Sequence, residues 1–393
     1  MNTSTSISCS STRAPKRADI LYTNIGRGHP FYLDGIVELL RPEDQGDITD
    51  VFTATTGVPN IIWRAGRAAY DLGSSAGGRN SLYPRLRKAG DYNTPGPLLR
   101  YAGTPLVRRF ARSPGPLVVA HPILVSLLRS HPQLVYQHGE LIVPPECLVR
   151  GEHTVLVPTP EAAAPFIKAG HNPDKLVITG LCIEPTLAAA GAAMQTRRRE
   201  RYTGNAPLTG GFFSSGAEPS SHITMLVTAA ISAVLHGGST FTVARRNGRY
   251  ARAITRAFAT RGLVLTDDPT QIPPGGAILR TYRNRTELSA ITGAHFEELD
   301  YFVSPSHERS NWAVGLGLPM FIVDPPIGTY APRNRELLLA HGVAEALETI
   351  QEAHAFGTRL ETLRQTDTLA ERAEAGWGRY PIDGFKTIAE WLA

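Results

Sequence analysis

The chain has 393 residues, of which 42% are hydrophobic and 19% charged, and it carries a net charge of +5. That length exceeds one ordinary hydrophobic core, so two domains are expected, and the composition excludes a disordered or fibrous protein. The longest apolar run, residues 223–235, falls short of the roughly twenty residues that cross a bilayer.

Residues 1–17 are rich in Ser and Thr, basic and free of acids, and are expected to form a disordered tail. From there, short apolar runs at residues 19–23, 48–52, 117–120, 134–136, 154–157 and 176–179 alternate with longer stretches. Continuous runs of this kind fit parallel strands buried on both faces. Residues 31–40 and 161–169 read as helices between them. The order strand, helix, strand predicts an α/β class with a doubly wound, Rossmann-like domain over residues 18–185. Residues 186–205 read as a linker containing a helix at 187–202, closed by the turn cluster Thr203-Gly204-Asn205-Ala206-Pro207. A second domain is expected over residues 206–375. Its strands are 208–213, 240–244, 263–266, 277–279, 300–303 and 320–323, and its helices 221–235 and 333–340. The remaining residues, 376–393, end in a helix at 384–392 expected to cross back onto the first domain.

Two glycine turns stand where a first strand gives way to a first helix. One is Asn24-Ile25-Gly26-Arg27-Gly28-His29-Pro30, the other Ser214-Ser215-Gly216-Ala217. Glycine lets the backbone approach a ligand closely, and a helix start offers free N–H groups to an anion. The first turn lacks the third glycine of a dinucleotide fingerprint, since Phe31 stands there, and neither turn has the Lys-Ser/Thr pair of a Walker loop. What the first turn does have is His29, a group that exchanges a proton near neutral pH where ligands gather in such sheets. The second turn suits a diphosphate. Polar residues also cluster after the strand at 134–136, as Gln137-His138-Gly139-Glu140, and after the strand at 300–303, as Ser304-Pro305-Ser306-His307-Glu308-Arg309-Ser310-Asn311.

These turns, the sequence Leu176-Val177-Ile178-Thr179-Gly180 before the linker, and the block from Ser304 through Gly317-Leu318-Pro319 to Asn334 resemble the GT-B glycosyltransferases. Monogalactosyldiacylglycerol synthases, processive diacylglycerol glucosyltransferases and the peptidoglycan enzyme MurG are of this type. The likeness covers residues 18–375 in order and spacing. It implies two Rossmann-like domains facing across a cleft and transfer of a sugar from a nucleotide-diphosphate co-substrate, UDP-type first, to a hydroxyl acceptor, with neither a further cofactor nor a metal. It implies His29 as the general base and Gly26, Gly28, Gln137, His138 and Glu140 as the acceptor side. Donor contacts carry over to Ser214, Ser215, Gly216, Arg245, Thr281, Tyr282, Ser306, His307, Glu308, Arg309, Asn311, Arg333 and Asn334, with Arg280 beside Thr281. The chain departs from the pattern at one position. The family's ribose-binding glutamate lies seven residues before the proline equivalent to Pro319, and Trp312 stands there; Glu308 or Asn311 are the substitutes nearest to it. Two further readings stay open: a nucleotide-sugar epimerase of the same fold, and a GT-B-like protein that binds without catalysis.

Charge is unevenly spread. Between Arg64 and Arg112 ten basic residues face only Asp71 and Asp91, interleaved with Trp63, Tyr70, Tyr83, Tyr92, Tyr101 and Phe110. Such a window suggests peripheral contact with an anionic membrane and a lipid acceptor. Nucleic acid is not expected, because no binding motif accompanies the charge. Three cysteines, Cys9, Cys147 and Cys182, without metal or redox spacing, fit a reducing cytoplasmic compartment.

Overall fold

A computed structural model describes residues 17–25, 28–75, 92–267 and 272–393, with the backbone alone for 71–75. The expected tail, Gly26, Arg27 and much of the basic window therefore lie outside the described residues. The first sheet contains β1 (Ala18–Tyr22), β2 (Gln45–Asp50), β3 (Leu117–Val119), β4 (Leu134–Gln137), β5 (Thr154–Val157) and β6 (Leu176–Ile178), in the order β2-β1-β3-β4-β5-β6. The second contains β7 (Thr209–Phe213), β8 (Ser239–Arg245), β9 (Ala277–Tyr282), β10 (Tyr301–Ser304), β11 (Met320–Val323) and β12 (Ala344–Leu347), in the order β12-β11-β10-β7-β8-β9. Every pairing is parallel. Helices cover both faces of each sheet, giving the doubly wound α/β architecture. Strands buried on both sides explain why their sequences run continuously apolar.

Each sheet has one place where the strand order reverses. In the first it lies between β1 and β3, in the second between β7 and β10. Ligands of open parallel sheets bind outside the carboxyl ends of the strands at such a reversal. The four loops that follow these four strands are therefore the ones the topology brings together.

Several local expectations are corrected. Residues 263–266 form no strand; Thr266 makes a single bridge to Ile278, and Val264 is 82% exposed, so the run lacks the two-sided burial a central strand needs. The expected strand at 48–52 ends at Asp50, whose carboxylate accepts the Phe52 N–H at 2.7 Å and caps the short helix Val51–Ala54 instead. Strand β12 and the helices Gly57–Ser75, Pro97–Phe110, Arg249–Thr260 and Arg285–His295 are additional to the elements expected from sequence, although Gly57–Ser75 and Arg249–Thr260 each carry a clear apolar face. The helix Pro185–Thr203 packs firmly on the second sheet. Its Leu187 and Met194 enter the second half's core, and its fully buried Arg198 donates to the carbonyls of Leu299 and Leu316 at 2.9 and 2.8 Å. Burial lowers the Arg198 pKa to about 10. The final helix, Gly384–Leu392, lies against the helix Gly28–Leu39: the Phe385 ring sits 5.6 Å from that of Phe31, and Gly35 is the residue whose missing Cβ admits it. Among the described residues no helix is long and apolar enough to cross a membrane.

Inside the first half, Tyr136, His138, His153, Phe166 and His171 form one cluster of rings. Burial pushes His138 and His153 down to about 4. The unfolded chain binds these protons near pH 6.5, so the folded state binds fewer below that value. The stability of the neutral rings is complete above about pH 6.5 and is lost as pH falls towards 4. The melting temperature should fall over that window. Neither ring nitrogen of His153 has a hydrogen-bond partner, so His153→Phe should flatten the fall without lowering stability at pH 7.5. A fall as steep as the wild type's would refute this account.

Candidate functional site

A cleft of about 1670 Å³ opens between the carboxyl ends of the two sheets. Its first-half wall is built at the β1/β3 reversal. The helix Gly28–Leu39 starts after β1 and puts His29 at the mouth. His121 follows β3; its Nδ1 accepts the Ile123 N–H at 3.1 Å, capping the helix Pro122–Leu128. The two imidazole rings are 4.5 Å apart, and the Tyr330 ring from the second half lies 6.4 Å from His29. Glu140 comes from the loop after β4 and is mostly buried. A Cβ at Gly28 would lie only 3.2 Å from its Oε1, so glycine at that position lets the helix start approach the carboxylate. Trp63, Tyr70, Tyr92, Leu98 and Leu99 continue this wall as an apolar, aromatic surface.

The second-half wall is cationic. Ser215 and Gly216 follow β7, and Arg245 at the end of β8 donates to the Gly216 carbonyl at 2.9 Å. Arg249 holds the Ala217 carbonyl in the same way at 2.8 Å, and Glu218 accepts the Tyr250 N–H at 3.2 Å. These bonds shape the turn after β7 from behind. The loop after β10 brings His307, Glu308 and Arg309. Arg309 is 5% exposed, with its guanidinium 4.6 Å from the Phe213 ring centre and its Nε without a hydrogen-bond partner. Its Nη1 also lies 3.8 Å from Glu308 Oε1, so the cation is partly paired while keeping donors suited to an anionic group. Burial lowers the His307 pKa, and Glu308 opposes that shift. Tyr32 lies where both halves act on it. Burial raises its pKa most, and the Glu140 and Glu308 carboxylates raise it further.

The structure thus brings Gly28, His29, Glu140, Ser215, Gly216, Arg245, Tyr282, His307, Glu308 and Arg309 to the cleft. Others named from sequence point elsewhere. Gln137 is buried and donates to Cys182 Sγ at 3.2 Å, and His138 is held between the Tyr136 hydroxyl and the Ile142 carbonyl at 3.2 and 3.1 Å. Ser214 is not among the cleft residues, nor are Arg280 and Thr281; the Arg280 side chain donates to the Asp267 carbonyl at 3.2 Å. Ser306, Asn311 and Asn334 are buried and donate to the carbonyls of Ala331, Cys182 and Ser306 at 2.9, 3.1 and 3.2 Å. Arg333 donates to the Val143 carbonyl of the first half at 3.2 Å. Ser306, Asn311, Arg333 and Asn334 thus spend a donor each on backbone carbonyls, whereas Ser214 Oγ, Gln137 Oε1 and Asn334 Oδ1 are buried without a hydrogen-bond partner. Trp312 is 2% exposed among Phe213, Phe296 and Phe302, and its Nε1 donates to Glu184 at 3.0 Å. The position that would hold a ribose is core here. Glu308 lines the cleft and Asn311 does not, which separates the two proposed substitutes. No local pattern in the sequence singles out His121, Tyr330, Asp34 or Arg285, because their partners lie on distant elements.

No protein-family model and no curated protein matches the sequence. Solved structures do match in fold. A UDP co-structure of Staphylococcus aureus MnaA is 11% identical over 95% of this chain and 94% of that one, with a TM-score of 0.56. MurG of Acinetobacter baumannii is 12% identical over 96% and 99%, with a TM-score of 0.52. The UDP-GlcNAc 2-epimerase of Neisseria meningitidis, bound to UDP-GlcNAc, is 10% identical over 96% and 99%, with a TM-score of 0.51. Two six-stranded parallel sheets facing across a cleft, matched over nearly their whole length by MurG, give this chain the GT-B fold.

Proposed function

We propose that the protein is a glycosyltransferase that moves a sugar from a nucleotide-diphosphate donor, UDP-type first, to a hydroxyl acceptor. The observation that carries this reading is the division of the cleft: His29 and Glu140 on a largely aromatic first-half wall with one arginine, Arg67, against six arginines on the second, Arg245, Arg249, Arg252, Arg283, Arg285 and Arg309. Residues 18–185 then bind acceptor and 206–375 bind donor. His29 takes the acceptor hydroxyl's proton as the oxygen bonds to the anomeric carbon. The bond from that carbon to the diphosphate breaks, and the diphosphate leaves with the electron pair. Arg309 and the backbone N–H groups after β7 stabilise its charge. The aromatic wall, with exposed Val58, Ile61, Leu98 and Tyr101 on the helices beside it, favours a lipid acceptor presented at a cytoplasmic membrane surface.

A second reading rests on Glu140 and Glu308, carboxylates from opposite halves that both line the cleft. Such a pair would serve an epimerase, which removes and returns a proton at carbon. The test is nucleotide release from a panel of UDP, GDP, TDP and CDP sugars, with and without lipid and soluble hydroxyl acceptors. Release of nucleotide that rises in step with added acceptor is expected. Interconversion of the sugar without acceptor would replace transfer with epimerisation, and no binding of any nucleotide sugar by thermal shift would leave neither enzyme.

A further inference from the structure

Arg285 opens the helix Arg285–His295 of the second half, three residues after Tyr282 of the cleft wall. Its guanidinium crosses to the first half and meets Asp34 as a fork, Nε to Oδ2 at 3.0 Å and Nη2 to Oδ1 at 3.2 Å. The remaining terminal nitrogen, Nη1, donates to the Asn24 side-chain oxygen, and the Asn24 amide donates in turn to Asp50 at the end of β2. The guanidinium carbon also lies 5.9 Å from the centre of the Tyr22 ring. Asn24 stands five residues before His29 and Asp34 five residues after it. One side chain of the donor half therefore holds both flanks of the residue that would act on the acceptor.

We propose that Arg285 is a positioning residue for His29, so that the base is set in place only when the two halves are docked. A planar guanidinium is suited to this because it binds a carboxylate through two parallel bonds and keeps a third donor for Asn24. A lysine has the charge but not the fork. Misplacement of a catalytic group by about 1 Å costs on the order of a hundredfold in rate, so the effect belongs in kcat. Arg285 lines the cleft, but its guanidinium is spent on Asp34 and Asn24 of the first half, so donor KM should stay within about twofold. The turnover arm rests on the glycosyl-transfer reading. The structural arm does not.

Arg285→Ala, Arg285→Lys, Asp34→Asn and the double variant Asp34→Asn/Arg285→Ala would be compared with the wild type. In the substrate-free protein, hydrogen–deuterium exchange of peptides within residues 20–36 should quicken by about fivefold in Arg285→Ala, the scale of losing an exposed ion pair. Peptides of the second sheet should not change. With the sugar donor found active, kcat should fall about tenfold to a hundredfold in Arg285→Ala. Arg285→Lys should fall between it and the wild type, and the double variant should be no worse than Arg285→Ala. Unchanged exchange in residues 20–36 overturns the proposal, with or without turnover. Quickened exchange with unchanged kcat also overturns it. If no nucleotide sugar is turned over by the wild type, the transfer reading fails by itself, and the exchange experiment still decides whether Arg285 holds the His29 segment.

Discussion

His29→Ala should lower kcat by about a hundredfold to ten-thousandfold, the contribution of a positioned general base, with little change in donor KM. The expectation follows from where the fold puts the ring. His29 is the second residue of a helix that starts at the β1/β3 reversal, with His121 at 4.5 Å and Tyr330 at 6.4 Å. These two partners come from two loops, one in each half, so its place depends on the fold and not on its own neighbours in sequence. The ring is only half-buried, so the alanine variant should fold with unaltered circular dichroism and lose rate without losing structure. The limb of the pH–rate profile that reports the base should vanish with it. Full turnover by His29→Ala would remove the residue from this role.

Trp312→Ala should destabilise the protein by about 3–5 kcal/mol, the range for deleting a buried aromatic side chain, read by urea unfolding. Phe213, Phe296 and Phe302 surround the indole with ring centres at 5.6, 4.9 and 5.6 Å, and Glu184 would lose the donor that now lies at 3.0 Å. The indole lies outside the cleft but packs against the Arg309 guanidinium at 5.5 Å, so UDP affinity per folded molecule should fall by no more than about fivefold, the scale of one cation–π contact. A variant that kept its stability within about 1 kcal/mol, a typical surface-like effect, but lost UDP binding would return this position to the ribose site. The two outcomes separate packing from recognition at the one position where the chain departs most clearly from the glycosyltransferase pattern.

The arginines of the second wall show how one residue type is used in different ways. Arg245 and Arg249 spend a donor each on the carbonyls of the turn after β7. Arg285 spends its donors on the other half. Arg309 alone of these has a buried nitrogen still without a partner, which makes it the strongest candidate for the leaving diphosphate. Spacing in sequence could not have ranked them.

By itself the sequence determined the two α/β halves and the loops at which chemistry could occur. Apolar runs of strand length, glycine turns and the polar clusters after strands are local signals, written in neighbouring residues, and they placed His29, Glu140, Ser215, Gly216 and the segment His307–Arg309 at strand ends. Only the tertiary structure decided which polar residues of those clusters face the cleft. Gln137 at the end of β4, His138 beside it, and Asn311 and Asn334 in the first turns of helices that follow cleft loops are close in sequence to cleft residues, yet each bonds to a buried backbone or side-chain group. The same holds for Trp312, whose place in the core follows from three aromatic residues on other elements, and for Arg285, whose partners Asp34 and Asn24 lie more than two hundred residues away. Hydrophobic periodicity fixes what an element is; which side chains meet across a cleft depends on how two sheets dock, and that information is spread over the whole chain.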